Sequence, residues 1–213
     1  MKTKLAIITL LIVLASNWNN SFSAGFSGGN GSQNKPFLIS NLVDLTLLAD
    51  SINNGNTYTG KYIALTADVD LANTNWKPMG SKENPFKGTF DGKNHAVTGF
   101  AIVTENDHVG FFGYVSKATI KNITVKNGTV TGRSFVAGIV GGAESAKILG
   151  CKNGLNIQAI GIPGNTSSGY AGGISGAIYG VTKIDSCVNS GLVKCKTLYA
   201  GGIVGACFTC QEK

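Results

Sequence analysis

VGFFG at Val109–Gly113 returns as AGIVG at Ala137–Gly141, as GGISG at Gly172–Gly176 and as GGIVG at Gly201–Gly205. The second residues of the four phrases stand at positions 110, 138, 173 and 202, so the steps are 28, 35 and 29 residues. A phrase that returns about every 20–50 residues is typical of a stacked repeat architecture. Each unit has too few apolar residues to bury its own hydrophobic face, so neighbouring units must stack to form one core.

The residues between the phrases form short runs rich in Val and Ile. The runs are Ile120–Ile123, Gly128–Val130, Ile148–Cys151, Leu155–Ile157, Ile184–Cys187 and Leu192-Val193. Runs this short, with Gly, Asn and Ser between them, favour strands over helices. The predicted fold class is therefore all-β, a parallel β-helix (solenoid), with the right-handed coiling that parallel crossovers prefer. The longer step contains Gly161–Gly169, whose composition predicts an inserted loop.

An N-terminal helix is predicted to cap the first coil. Ser40 or Asn41 can serve as its N-cap, and Asn53-Asn54-Gly55 can end it. Its apolar face consists of Leu42, Leu45, Leu48, Ala49 and Ile52, which recur at helical spacing. Solenoids need such a cap over their first coil. Further along, Asp91-Gly-Lys-Asn94 predicts a turn between two strands.

Residues 1–24 are predicted to be a signal peptide. Lys2 and Lys4 precede the apolar run Leu5–Ala15, which is too short to span a membrane. The rest forms one domain, with the cap and first coils over 25–108 and the repeat coils over 109–213. No later segment reaches 18 apolar residues, so no membrane-spanning segment is predicted. We expect a secreted or surface-displayed protein.

The charge of the chain argues against nucleic acid as a partner. Its formal net charge is +7, from 18 Lys and Arg against 11 Asp and Glu, and the predicted export removes Lys2 and Lys4. Only Arg133 offers a guanidinium for base or phosphate recognition. The Lys residues are spread along the chain at solvent-facing strand positions, where they favour solubility and edge protection. A weak attraction to acidic glycans or to a bacterial surface is the alternative.

Six segments of the N-terminal half occur in a recognisable order: Gly28–Gly31, Pro36–Ile39, Tyr62–Thr66, Asp68–Leu71, Trp76–Gly80 and Phe86–His95. Together with the glycine phrases, this order resembles secreted bacterial β-helix proteins with GLUG-type repeats. The resemblance covers nearly all of the mature chain and implies a β-helix on a bacterial surface, often in an adhesin-like protein. Some relatives carry the module beside an IgA-protease-type peptidase domain, whose HExxH motif this sequence lacks. The resemblance implies no conserved catalytic set that can be carried onto these residues.

Aromatic residues supply the candidate ligand-binding positions. Most of them fall at apolar strand positions and are expected in the core. Trp76 beside Lys77, and Tyr170 beside the inserted loop, are better candidates for an exposed platform on which sugar rings stack.

Two groups of polar residues are weak candidates for metal or acid–base chemistry. Asp68 and Asp70 flank Val69 and should share one strand face, where they could bind Ca²⁺ or, as the favoured interpretation, accept hydrogen bonds from turn amides. The patch Glu105-Asn-Asp-His108 is expected to be an exposed loop. Neither His95 nor His108 lies near a nucleophile motif. We predict no resident metal and no cofactor.

Repeat alignment places Ile123, Cys151 and Cys187 at one position of successive coils. Adjacent coils are about 4.8 Å apart, within the Cα separation of about 4.4–6.8 Å that a disulfide needs. Export favours a Cys151–Cys187 disulfide, whereas stacked thiols also pack well as small apolar groups. Cys207 and Cys210 form a CxxC for which no catalysis is predicted.

These observations predict a non-enzymatic domain for adhesion or for binding an extracellular glycan or a host or bacterial surface protein. The alternatives are a polysaccharide-cleaving β-helix enzyme (a lyase or glycoside hydrolase) or a non-catalytic module of a larger secreted protease. Only Glu144 and Asp185 carry carboxylates between Val109 and Gly205, which disfavours the enzyme. Eight residues follow the fourth phrase, so the last coil is predicted to be incomplete and open to self-association.

Overall fold

The computed structural model describes residues 25–164 and 168–208, and the predicted signal peptide lies outside the described residues. Within these ranges the chain forms twenty strands and one helix. In chain order they are β1 (Phe37–Ile39), α1 (Leu42–Asn53), β2 (Tyr62–Leu65), β3 (Val69–Asn75), β4 (Thr89–Asp91), β5 (Ala96–Val103), β6 (Asp107–Val109), β7 (Phe112–Ser116), β8 (Thr119–Lys121), β9 (Thr124–Gly132), β10 (Ser134–Ala137), β11 (Val140–Glu144), β12 (Lys147–Leu149), β13 (Lys152–Ala159), β14 (Tyr170–Gly172), β15 (Ser175–Tyr179), β16 (Lys183–Asp185), β17 (Val188–Asn189), β18 (Val193–Cys195), β19 (Tyr199–Gly201) and β20 (Val204–Phe208).

The strands stack into four parallel sheets that share one axis. Sheet I has the order β1-β2-β4-β8-β12-β16, and sheet II the order β3-β5-β9-β13, with β17 and β18 both on the edge of β13. Sheet III is β6-β10-β14-β19 and sheet IV is β7-β11-β15-β20. Each full coil visits sheets I, II, III and IV in turn, and the chain makes about six turns. The predicted all-β solenoid is confirmed.

The repeated glycine phrase forms the corner between sheets III and IV. Its central residue turns inward, so that Phe111, Ile139 and Ile174 are fully buried in successive coils. The last glycine of the phrase packs directly against the backbone of sheet III. A side chain at Gly141 would therefore collide with the backbone of His108. A side chain at Gly176 would likewise meet the backbone of Phe135. The phrase recurs because each coil must bring these two sheets together.

The core is a set of ladders in which equivalent side chains stack from coil to coil. Ile148 pairs with Ile120 on one side and with Ile184 on the other. Ile148 is fully buried, as are Ile139 and Val140. Towards the N-terminal end, the core is filled by an aromatic cluster of Phe86, Phe90, Phe111 and Phe112.

Helix α1 follows the expected pattern closely. The Asn41 side chain accepts a hydrogen bond from the Asp44 amide at 3.0 Å and caps the helix N-terminus. Leu45, Leu48 and Ile52 are fully buried in the core that α1 shares with β1 and β3. Helix α1, the one helix among the described residues, is too short to cross a membrane.

The predicted turn at Asp91–Asn94 is present, but it joins strands of different sheets. β4 belongs to sheet I and β5 to sheet II, and each pairs with parallel neighbours. Lys93 and Asn94 have φ angles of 51° and 65°, a left-handed pair that bends the chain sharply. In this fold the turn is a solenoid corner.

Candidate functional site

Aromatic side chains of sheets III and IV form two adjoining rows of rings outside the main core of the solenoid. Sheet III contributes one ring from each of four successive strands, and sheet IV contributes three more. We name this set the aromatic cleft; it consists of His108, Phe135, Tyr170 and Tyr199 on sheet III and Tyr114, Tyr179 and Phe208 on sheet IV.

Rings on neighbouring coils stack because strand pairing holds them in register. The Phe135 and Tyr170 ring centroids are 5.3 Å apart, with planes inclined by 4°. Tyr199 continues the row at 6.0 Å from Tyr170. On sheet IV, Tyr179 and Phe208 stack at 5.3 Å and 15°. These distances follow the rise of about 4.8 Å between parallel strands.

The two rows also touch each other across the cleft. The His108 ring lies 5.2 Å from that of Tyr114, and His108 Nε2 is hydrogen-bonded to the Tyr179 hydroxyl at 3.2 Å. Gly142 provides the space for this contact, because a Cβ there would lie 2.6 Å from both the His108 and Tyr114 rings. Exposure rises along the cleft, from the buried Tyr114 to Tyr199, which is 64% exposed.

A pocket of about 470 Å³ adjoins the cleft at His108. One wall is the segment 75–83 and the other is 102–109, with Asn53 completing the lining. The lining mixes apolar groups, such as Ile102 and Pro78, with hydroxyl, amide and charged groups. The charged and titratable members are Lys77, Lys82, Glu83, Asp107 and His108.

Ion pairs and hydrogen bonds fix several of these polar groups. Arg133 donates from Nε and Nη2 to the two Asp107 carboxylate oxygens, at 2.8 and 2.7 Å. The Ser81 hydroxyl donates to Glu83 at 2.8 Å, and this bond lowers the pKa of the Glu83 carboxyl. The Lys82 ammonium lies 5.8 Å from the Tyr179 ring centroid, within the range of a cation–π contact.

His108 is neutral at physiological pH. Burial in the cleft lowers its pKa to about 4, and the positive charge of Lys82 adds to this effect. A neutral imidazole can donate from one nitrogen and accept at the other. The junction of the pocket and the cleft therefore offers both kinds of hydrogen-bonding group beside apolar ring surface.

The structure places two of the three residues predicted to bind a ligand together: Trp76 and Lys77 both line the pocket. Tyr170 lies apart from them, in the middle of the aromatic cleft. The prediction that Trp76 forms an exposed platform is wrong. Trp76 is only 6% exposed, its ring stacks on Phe111 at 5.6 Å, and its Nε1 donates to the Phe111 carbonyl at 3.1 Å.

Asp68 and Asp70 accept hydrogen bonds from backbone amides. Asp68 accepts from the Ala96 amide at 3.0 Å and is paired with the His95 ring at 3.1 Å. Asp70 accepts from the Ala72 amide at 2.9 Å. Within residues 25–164 and 168–208, no three His, Cys, Asp or Glu side chains are grouped as metal ligands.

A disulfide and packed thiols were both left open for the pair Cys151 and Cys187. Cys151 and Cys187 do stack in successive coils as aligned, but both are free thiols. Each thiol hydrogen-bonds to backbone carbonyls, and the Cys151 amide donates to the Cys187 sulfur at 3.4 Å. These contacts hold the pair as packed thiols, the alternative left open above. Cys207 is disulfide-bonded, and Cys210 lies outside the described residues.

Most residues of the aromatic cleft were not predicted from the sequence, although their spacing from the glycine phrases indicates them. Phe135, Tyr170 and Tyr199 each stand three residues before the second residue of a glycine phrase, and Tyr179 and Phe208 stand six residues after it. The expected exposed loop at Glu105–His108 contributes Asp107 and His108, which lie in strand β6 and line the pocket.

Comparisons with known proteins support the fold and leave the family open. No family model matches the chain, so the resemblance to GLUG-type proteins stays a prediction. A protein of Evansella cellulosilytica named "Putative Gly-rich membrane protein" is 28% identical over 130 residues, which cover 60% of this chain and 15% of that protein. Halomucin of Haloquadratum walsbyi is 31% identical over 134 residues, covering 56% of this chain and 1% of its own length. The chain thus spans a small part of these relatives.

A solved structure shares the architecture. The crystal structure of a "putative immunoglobulin A1 protease" from Bacteroides ovatus superposes with a TM-score of 0.60. The match covers 90% of this chain and 70% of that one, at 21% sequence identity. At this level of identity the likeness shows the fold alone.

Proposed function

We propose that the chain is a secreted or surface-displayed, non-enzymatic binding domain that holds an extracellular glycan in the aromatic cleft and the adjoining pocket. The observation that carries the proposal is the unbroken row of rings over four coils, which ends at a polar pocket. Adhesion to a glycan-coated surface is the expected role.

The chemistry of the site matches that of a sugar chain. Aromatic side chains offer apolar surface to the C–H faces of sugar rings, and tyrosine hydroxyls remain available for hydrogen bonds. The pocket supplies charged and amide groups for sugar hydroxyls beside apolar walls, the mixture usual in ligand sites. The rings of four successive coils are separated by three steps of about 4.8 Å, so the row extends over about 14 Å, which suits an elongated ligand.

The predicted export and the relatives' names both support a surface location for the proposal. One relative is named as a membrane protein and the other as halomucin. A protein partner on a host or bacterial surface would use the same cleft, and the experiment below includes this outcome.

Binding to immobilised glycans tests the proposal. Tyr170→Ala and Tyr199→Ala should each weaken binding about fivefold, as expected from the loss of about 1 kcal/mol of ring contact. Tyr62→Ala, in sheet I and away from the cleft, is the matched control and should bind like the wild type. Glycan binding that survives both cleft substitutions would place the ligand elsewhere. Binding to surface proteins alone would replace the glycan as ligand.

One observation favours the enzyme as a second candidate. The pocket brings the Glu83 and Asp107 carboxyl groups to one site, and polysaccharide-cleaving enzymes work with carboxylate pairs. Against this, Arg133 neutralises Asp107 at 2.7 Å. Incubation with pectins, alginate and glycosaminoglycans decides the matter: oligosaccharide release that Glu83→Gln abolishes would establish the enzyme.

A further inference from the structure

The pocket beside the aromatic cleft forms where two successive coils follow paths of different length. The Trp76 amide donates to the Ala101 carbonyl at 3.1 Å, and the Met79 amide donates to the Phe111 carbonyl at 3.2 Å. Two residues connect Trp76 to Met79, whereas nine connect Ala101 to Phe111. The longer path contains β6, which is the first strand of sheet III among the described strands. The pocket lies between the short path and the long one.

An inserted loop, residues 80–85, continues the pocket wall towards the aromatic cleft. Between its two parallel bridges to the next coil, this loop has six residues where that coil has two. The loop carries Lys82, whose ammonium lies 5.8 Å from the Tyr179 ring centroid. Burial lowers the pKa of His108, and the positive charge of Lys82 adds to this decrease. The insertion thus places a positive charge where the pocket meets the cleft.

Hydrogen bonds to the end of helix α1 hold the loop in place. The Gly80 amide donates to Asn53 Oδ1 at 2.9 Å, and Asn84 Nδ2 donates to the Asn53 carbonyl at 3.1 Å. The turn itself is closed by the Ser81 amide, which donates to the Asn84 carbonyl at 3.1 Å. Because this loop is already ordered, binding a ligand there requires little further loss of backbone entropy.

The lysines of the pocket are its charges without an ion-pair partner. Among the described residues, neither Lys77 nor Lys82 forms a salt bridge. The carboxylates of the pocket are engaged elsewhere, since Asp107 is paired with Arg133 at 2.7 Å and Glu83 accepts a hydrogen bond within its own turn. Three cations therefore stand against two carboxylates, and an entering anion would give the lysines a partner.

This balance of charge distinguishes among the glycans proposed above as ligands. A neutral sugar can form only ring contacts and ordinary hydrogen bonds in the pocket, whereas an anionic group adds charge-assisted hydrogen bonds, which are about twice as strong. We infer that the pocket binds an acidic sugar residue, whose carboxylate or sulfate group is held by Lys77 and Lys82 while the chain continues along the aromatic cleft. The inference rests on the proposed glycan-binding function of the cleft.

Binding of matched acidic and neutral hexasaccharides tests the inference. Oligogalacturonate, oligoalginate and chondroitin hexasaccharides are each compared with their carboxyl-reduced, neutral forms by calorimetry. At least one acidic form should bind about tenfold tighter than its neutral form, and this difference should shrink as salt screens the charges. Chondroitin sulfate is the further probe. Tighter binding than that of chondroitin would assign the anionic group as sulfate, and equal binding would assign it as carboxylate.

Lysine variants locate the anionic group. Lys77→Gln and Lys82→Gln should each weaken binding of the acidic form about fivefold, the upper range for an exposed ion pair, and leave binding of the neutral form unchanged. Lys147→Gln is the matched control, because it removes the same charge from an exposed position on β12 of sheet I. This control should bind like the wild type. All three lysines are exposed, and melting temperatures check that the variants fold.

The outcomes separate this inference from the function on which it rests. If acidic and neutral forms bind equally and Tyr170→Ala weakens both, the glycan-binding function stands and the acidic sugar is wrong. If Lys147→Gln weakens acidic binding as much as the pocket variants do, the attraction comes from the overall charge of the chain and the inference is again overturned. Absence of binding to every glycan, acidic or neutral, would overturn both.

Discussion

His108 connects the pocket to the aromatic cleft. Its ring stacks on Phe135 at 4.7 Å and meets Tyr114 edge-on. Its backbone has φ of 55°, a left-handed conformation that Asn tolerates better than most side chains. Because burial opposes protonation of this imidazole, we expect the stability of the folded protein to depend on pH through His108.

We expect the free energy of unfolding to fall as the pH is lowered from 6.5 to 4, because of His108. Its pKa is about 4 in the native state against 6.5 as the ordinary value, so the unfolded chain takes up a proton first as pH falls. This lowers the free energy of unfolding by about 1–2 kcal/mol at pH 5 relative to pH 7. At pH 7 and above the imidazole is neutral in both states and the effect is absent.

Denaturant unfolding at pH 7 and pH 5 measures this effect. His108→Asn lowers stability at both values through lost ring contacts, but its decrease between them should be smaller than that of the wild type. Asp68, Asp91 and Asp185, whose pKa values are lowered by their hydrogen bonds, act equally in both proteins. Identical decreases would show that His108 is protonated freely in the native cleft.

At the scale of elements, the stability of the capping helix α1 depends on one side chain at its N-terminus. Asn41 satisfies the Asp44 amide at the helix N-terminus, and helix ends leave such amides without intrahelical partners. The helix in turn shields the first coils from solvent.

Asn41→Ala should lower the free energy of unfolding by about 1 kcal/mol, the usual effect of losing an N-cap. Val43→Ala is the control, because Val43 lies on the same helix and is 74% exposed. Urea unfolding of the two variants gives the comparison. Equal stability of Asn41→Ala and the wild type would mean that the helix end is satisfied in another way.

Elements with a local pattern could be predicted from the sequence. The apolar spacing and the Asn41 cap determine α1, and the glycine phrase determines a corner. Trp76 could not be placed in this way, because it lies outside the repeats and its partner Phe111 is 35 residues later. The aromatic cleft could not be predicted either, because its rings come from separate coils. In addition, Val109 pairs with Val136, whereas the alignment of the phrases places Val109 opposite Ala137.

At the scale of the whole molecule, the solenoid is a nearly one-dimensional stack in which each coil contacts its neighbours. Stability in such a stack depends on how many neighbours cover a given position. The ladder of Ile120, Ile148 and Ile184 contains both situations, since among the described residues Ile148 pairs with a neighbour on both sides and Ile184 on one.

Ile148→Ala should therefore cost about 3 kcal/mol, within the usual range for a buried Ile. Ile184→Ala, at the same position of the last coil, should cost about 1 kcal/mol because this side chain is only partly buried. Unfolding measured at low protein concentration keeps association out of the comparison. Equal losses would mean that the last coil is packed as tightly as the interior.

The burial of Trp76 gives the N-terminal coils an optical signature of their own. Trp76 is the one tryptophan among the described residues, and its indole is enclosed beside Phe111 in the N-terminal coils. Indole fluorescence then reports the melting of these coils, whereas far-ultraviolet dichroism reports the strands of all coils. Two transitions that fail to coincide would reveal a chain that unravels coil by coil.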